Sequence, residues 1–207
     1  MFTNRTEAGA RLADTLADAG VEPDIVLAVP RGGLPVGRAV ADRFGVPLDV
    51  VIAVKLGAPG NPELALGAVA GDGSVWLNGD LVAQLGVDET YLDRVRREKA
   101  ETAREKVETY RDDGPLPDLA GKTVVVVDDG VATGATTRAC LRQVRAGNAE
   151  RVVLAVPVGS ADVLAELRSE ADDVIAVETP RGFGAVGAHY RDFRQVSDDE
   201  ARSFLRE

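Results

Sequence analysis

Cysteine is almost absent from this chain. Cys140 is the only one in 207 residues, so no intramolecular disulfide can form and no thiolate metal cluster can be built. That scarcity fits a reducing, cytoplasmic setting. Histidine is equally scarce: His189 has no partner at metal-ligand or catalytic-triad spacing and reads as structural. Of 24 basic residues only Lys55, Lys99, Lys106 and Lys122 are lysines, and the formal net charge is −10. Such an acidic chain opposes non-specific attraction to nucleic acid or to an anionic membrane, so any anion site must be local. The acidity fits either a salt-rich cytoplasm or a GC-rich genome. No apolar run approaches the length of a membrane span, and the N-terminus carries Arg5, Glu7, Arg11 and Asp14 instead of an apolar leader, which predicts a soluble, uncleaved protein. No GxxxxGK[ST] segment occurs, which argues against a P-loop kinase or ATPase, and no helix-turn-helix or basic stripe is visible. Aromatic residues make up only 4% against 45% hydrophobic, so the core must be Val, Leu and Ala, a composition suited to helices on a buried parallel sheet.

The patterning that is present alternates strands and helices. Ala8, Leu12 and Leu16 recur at helical spacing before Gly20, and Asp24–Val29 reads as a buried strand. A Pro30-Arg31-Gly32-Gly33 turn follows, then a helix with Val36, Val40 and Phe44 on its core face ending at Gly45, then an apolar strand over Leu48–Val54. Residues 56–87 break into Gly, Pro and Asn and read as an insertion, with a hairpin about Gly71-Asp72-Gly73 between Leu66–Ala70 and Ser74–Leu77. Asp88 to about Asp112 is a long charged helix whose thin stripe of Leu92, Val95, Ala103, Val107 and Tyr110 suits either a solvated helix or a subunit contact. After a turn at 114–117 come strand Val124–Val127, a helix from about Gly134 to Ala146, strand Arg151–Pro157, helix Ala161–Ser169 and strand Asp173–Val177. An aromatic, Gly-rich tail follows, with a short helix at Asp198–Leu205. Length gives no reason to divide the chain, so one domain over 1–207 is expected.

The chemistry concentrates in residues 124–136, VVVVDDGVATGAT. Four β-branched residues deliver Asp128 and Asp129 to the carboxyl end of a buried strand, where open α/β sheets place ligands. Gly130 and Gly134 allow a tight turn with inward N–H groups, Thr133, Thr136 and Thr137 offer hydroxyls, and a helix N-terminus adds donors suited to a monophosphate. Carboxylates beside a phosphate cradle make sense when the ligand carries both a phosphate and a polyol. The bland alternative, acids capping a helix, does not account for the adjacent pair followed by TGAT.

This segment closely resembles the 5-phosphoribosyl 1-pyrophosphate (PRPP) motif of type I phosphoribosyltransferases. In that family the acidic pair binds the ribose hydroxyls and the loop binds the 5-phosphate, which would here involve Gly130, Ala132, Thr133, Gly134, Ala135 and Thr136. Residues 28–33, AVPRGG, are similar to the family's short pyrophosphate loop. There Arg31 would supply a cation and Gly32 and Gly33 close backbone approach, although PRGG alone equally describes a plain turn. Lys55, after the second strand, stands where adenine-type members carry a basic residue leading into a mobile loop. It reads either as a pyrophosphate ligand, with Ala58–Glu63 a lid and Glu63 acting on the acceptor's proton, or as a surface lysine before an insertion.

The formal GxGxxG at 182–187 fails as a dinucleotide fingerprint, because Pro180 intervenes and too little chain follows. It reads instead as part of a hood over 178–195, with Tyr190 and Phe193 nearby. Phe183 either stacks on an acceptor ring or anchors a small core. The layout as a whole most resembles an uncharacterised phosphoribosyltransferase-domain group with PRGG, NPELALGAV and FGAVG-type segments. The resemblance implies an α/β fold, a parallel sheet flanked by helices with an inserted hairpin and a small hood. It also implies a homodimer in nucleotide metabolism, Mg²⁺ bound mainly through PRPP with no dedicated metal residues, and transfer of phosphoribose to a nitrogenous acceptor with release of pyrophosphate. A non-catalytic PRPP or nucleotide sensor on the same fold is the alternative. Hypoxanthine/guanine-type members carry a third acid one position before the TG pair; here that position is Ala132.

Overall fold

The computed structural model describes residues 1–111 and 116–206, and the side chain of Glu63 also lies outside the description. In chain order the first half comprises α1 (Arg5–Asp18), β1 (Ile25–Ala28), α2 (Gly33–Phe44), β2 (Leu48–Val50), β3 (Ala53–Ala58), β4 (Asn61–Ala70), β5 (Val75–Leu77) and α3 (Gly79–Gln84). The second half comprises α4 (Glu89–Tyr110), β6 (Thr123–Val127), α5 (Ala135–Ala146), β7 (Arg151–Val158), α6 (Ala161–Leu167), β8 (Asp173–Glu178), a 3₁₀ turn over Val186–His189 and α7 (Asp198–Arg206). The turn expected at 114–117 falls partly outside the described residues.

Five strands form a parallel sheet in the order β2-β1-β6-β7-β8. Its centre explains the four-valine run. Val125 and Val127 pack with Leu12 and Leu16 of α1 and Val36 and Val40 of α2. Val124 and Val126 pack on the opposite face with Ala139, Leu141 and Val144 of α5. A strand covered on both faces needs apolar residues at consecutive positions, and each such burial stabilises the fold by roughly 1.5–3 kcal/mol. Local signals set the helix ends: the Asn4 side chain accepts the Glu7 N–H at 2.9 Å to start α1, and Gly45 closes α2 in the left-handed region.

The strand order also decides where a ligand can sit. After β1 the chain crosses through α2 to β2 on one side, and after β6 it crosses through α5 to β7 on the other. The loops leaving β1 and β6 therefore diverge, opening a crevice at the carboxyl ends of these neighbouring strands. Ala28 is in register with Val127, so residues 30–33 and 128–134 emerge side by side at this switch point.

Three expectations need correction. The apolar run Leu48–Val54 is two strands, not one. Val51 N–H still donates to Ala28 in the main sheet, but Ile52 accepts from Gly71, and β3 joins a separate antiparallel sheet β3-β4-β5. Both segments are flanked by core, so hydrophobicity alone shows no break. Lys55 consequently sits within β3, opposite Ala68, and not at a strand end. The segment 58–63 forms the tip of the β3–β4 hairpin: Ala58 pairs with Asn61, Gly60 in the turn adopts a left-handed φ of 73°, and the register shifts at Gly57. The β4–β5 hairpin about Gly71–Gly73 forms as expected. Finally, the stripe on α4 is used inside the chain. Leu92 and Val95 cover Leu56, Leu66 and Val69 of the hairpin sheet, while Val107 and Tyr110 meet the α7 cluster.

Candidate functional site

Asp128 and Asp129 stand at the carboxyl end of β6, facing the β1 loop. The approach is close enough to dictate residue type: a Cβ on Gly32 would lie 2.0 Å from Asp129 Oδ2, and one on Gly33 2.8 Å from the Val127 carbonyl oxygen. A side chain at Gly33 would meet fixed backbone, and one at Gly32 would displace the Asp129 carboxylate, so the two glycines allow the PRGG turn its close contact with the acidic pair. The Pro30–Arg31 peptide is cis.

The two carboxylates have different surroundings. Asp128 Oδ1 accepts the Asp129 N–H at 2.8 Å. Burial pushes the Asp128 carboxyl well above the usual carboxylate range and the Asp129 charge adds to this, while the backbone hydrogen bond and Arg5 oppose it. Asp129 is raised chiefly by burial, with Arg5 opposing. Arg5 comes from the first turn of α1. Its Nε donates to Asp129 Oδ2 at 2.7 Å, with the two side chains only 11% and 14% exposed, and its Nη1 donates to the Arg194 carbonyl at 2.9 Å. The guanidinium lies 3.9 Å from the Phe193 ring centroid. Tyr190 donates its hydroxyl to the Asp129 carbonyl at 2.6 Å, and burial raises its pKa, so it remains a donor.

Beyond the pair, residues 130–134 turn into α5 through Gly134, whose φ of 72° suits glycine. With Asp128, Thr136, Thr137 and Val186 they line a cup of about 150 Å³. Ala132 and Thr133 are exposed at its rim, Thr136 is half-buried, and Ala135 and Thr137 are buried in the first turn of α5. The first N–H groups of a helix have no intrahelical acceptor, so this cup offers donors to an anion.

On the β1 side Arg31, one-third exposed, pairs with Asp198 of α7 at 3.7 Å. Lys55 is half-buried and in a row with Ala68 and Trp76 across the hairpin sheet, on the face that covers α5; Arg138 of α5 lies 5.0 Å from the Trp76 ring. Glu63 belongs to β4, and its side chain is outside the description. Phe183 stacks on His189, centroids 5.3 Å apart and planes 11° from parallel, beside the aromatic group Phe2, Tyr190 and Phe193. Val186 of the same tail reaches the cup. No group of three or more His, Cys, Asp or Glu suited to a metal ion occurs among the described residues, and none of the described helices is long and apolar enough to cross a membrane.

Sequence reasoning missed Arg5 as a site residue. It lies 124 positions from Asp129 in a segment that reads as an ordinary charged helix start, and nothing local marks it. Lys106 of α4, near Arg31, was hidden in the same way among the charges of a long helix.

Comparison with known proteins agrees with this geometry. The profile of the phosphoribosyl transferase domain matches residues 3–71 and 68–190. Two Mycobacterium tuberculosis proteins (strains CDC 1551 and H37Rv), provisionally named phosphoribosyl transferases, are 43% identical over 205 residues, covering 99% of this chain and 46% of theirs. The chain thus spans about half the length of these curated relatives. A crystal structure of a Thermus thermophilus protein superposes with a TM-score of 0.83 at 43% identity, covering 99% of this chain and 97% of that one. A Neisseria gonorrhoeae hypothetical protein with bound ppGpp shares the fold, with a TM-score of 0.51 at 15% identity and coverage of 100% and 97%. With a parallel α/β sheet flanked by helices, and with the family profile spanning most of its length, the chain belongs to the phosphoribosyl transferase domain family.

Proposed function

We propose that this chain binds PRPP in the crevice between β1 and β6 and transfers its phosphoribosyl group to a nitrogenous, nucleobase-like acceptor, releasing pyrophosphate. The observation that carries this reading is the contact of the PRGG turn with the acidic pair, beside which the cup at the start of α5 opens. Residues 1–207 act as one domain, with 178–195 as its hood.

The cup at 130–136 holds the 5-phosphate, and Asp128 and Asp129 accept hydrogen bonds from the vicinal ribose hydroxyls. Arg31, Gly32 and Gly33 face the diphosphate, Lys55 reaches toward it from the hairpin, and Phe183, backed by His189, lies on the acceptor side. Breaking the C1–O bond develops positive charge on the ribose ring and negative charge on the departing diphosphate. The nearby carboxylates favour the first and Arg31 and Lys55 the second. Mg²⁺ would be carried mainly by PRPP oxygens and water and would add to neutralisation of the leaving group. The hairpin tip at 58–63 acts as a lid over the bound ligand, with Glu63 on the acceptor's proton. By resemblance the protein acts as a cytoplasmic homodimer in nucleotide metabolism.

Arg5 supports the acidic pair. Arg5→Met removes the charge that opposes the upward shift of Asp129, leaving burial to raise its carboxyl further. Ribose 5-phosphate affinity is expected to fall about tenfold or more, the size of one lost charged hydrogen bond, with partial recovery in Arg5→Lys. Titration calorimetry on the three proteins measures this, and equal affinities would contradict it.

The functional reading is tested by a PRPP-dependent pyrophosphate-release screen with Mg²⁺ over purines, pyrimidines and small amines. Release with at least one acceptor class is expected. The second reading, a non-catalytic sensor, draws on the ppGpp-bound fold neighbour. It predicts PRPP or nucleotide binding without release under every condition.

A further inference from the structure

A second cavity opens beside the PRGG turn, of about 510 Å³, lined by Pro30 and Arg31 of the β1 loop, Thr102, Glu105, Lys106, Thr109 and Tyr110 of α4, and Asp198 of α7. It begins one residue from Gly32, whose backbone abuts Asp129. The acidic pair is thus flanked by two spaces, the cup on the 130–137 side and this cavity on the Arg31 side.

Two cations and two carboxylates line it. Arg31 and Lys106 lie close enough to repel one another: desolvation and then the Arg31 charge lower the Lys106 pKa, with Asp198 opposing. Lys106 makes no hydrogen bond or ion pair among the described residues and is exposed to solvent. Arg31 is only loosely paired, at 3.7 Å, with Asp198, which also accepts the Tyr110 hydroxyl. Arg31 and Lys106 converge on one open space whose lining carboxylates, Glu105 and Asp198, leave Lys106 without an ion pair among the described residues and Arg31 only loosely paired, so a multiply charged anion can engage both cations.

We propose that Lys106 is a diphosphate-binding residue of the site, and that Asp198 holds Arg31 in the unliganded chain until the diphosphate of PRPP takes its place. This rests on the PRPP reading above. It deepens that reading by assigning the leaving group a cation from α4 and a competing carboxylate from α7, neither of which belongs to a sequence motif. Because Asp198 competes for Arg31, its removal should act in the direction opposite to loss of Lys106.

Calorimetry of the full chain with magnesium pyrophosphate, and separately with ribose 5-phosphate, tests this on Lys106→Met and Asp198→Asn. Both changes lie on exposed side chains, and the amide oxygen introduced by Asp198→Asn can still accept the Tyr110 hydrogen bond. Pyrophosphate affinity is expected to fall about tenfold in Lys106→Met, in keeping with loss of one solvent-facing charged contact. It is expected to rise several-fold in Asp198→Asn, with ribose 5-phosphate unaffected in both and saturating PRPP excluding pyrophosphate. The inference is overturned if pyrophosphate binds Lys106→Met as well as the parent, fails to bind the parent, or binds alongside PRPP. If ribose 5-phosphate itself fails to bind the parent, the PRPP reading fails, and the assignment of this cavity falls with it.

Discussion

Replacing Asp128 and Asp129 together by Asn is expected to weaken PRPP binding by about 10²-fold or more, since two charged acceptors lost at roughly 1.5–3 kcal/mol each outweigh what the neutral amides restore. The same variant should be no less stable than its parent. Burial raises both carboxyls above their ordinary range, so the native state binds their protons more tightly than the unfolded chain does. For groups shifted upward, stability is lost as pH rises through the window between unfolded and folded pKa values, and above that window the ionised pair burdens the fold. Amides remove that burden but leave the Arg5 guanidinium without its carboxylate, and these effects offset. Calorimetry with PRPP and Mg²⁺, beside thermal unfolding, separates the two properties. Unchanged affinity would remove the acidic pair from the site. The pH dependence has a matching sign. Binding by the parent should weaken as pH falls into the raised Asp128 range, above the ordinary aspartate value near about 3.9, and the double variant should lack this component. The ligand phosphate's own titration near about 6 is common to both.

The second large effect concerns the acceptor. Hypoxanthine/guanine-type members carry an acid where Ala132 stands, and the pattern before the TG pair here more closely resembles adenine- and orotate-type members. Ala132 is exposed on the rim of the cup and has no proton to exchange. Turnover on hypoxanthine or guanine should therefore lack a general acid/base contribution of roughly 10² to 10⁴ in rate. Steady-state assays with both bases are expected to show poor activity. Rates of about 1 s⁻¹ or more would contradict this and direct attention to Glu63 as the substitute.

Much of the fold was legible because its signals are local. The unbroken valines of β6 announce a strand covered on two faces, Gly45 marks the end of α2, and Gly71–Gly73 marks a hairpin. The acidic pair and the PRGG turn were legible for the same reason, each being a short segment at the end of a strand. What escaped depends on tertiary pairing. Residues 48–58 carry apolar character straight through the point where the chain leaves one sheet for another, so only hydrogen-bond partners reveal the change between Val51 and Ile52. The α4 stripe suited solvent or a subunit until the hairpin sheet proved to be its partner. Arg5, Lys106 and Asp198 are charged residues on helices, a setting in which charge is normally solvated. The roles proposed for them rest on elements distant in sequence.

The most direct test of the central claim is a crystal structure of the chain grown with PRPP and Mg²⁺. The account predicts the 5-phosphate in the cup formed by residues 130–137, the ribose hydroxyls on Asp128 and Asp129, and the diphosphate over Arg31–Gly33. PRPP bound elsewhere, or an acidic pair still untouched at saturating ligand, would contradict it.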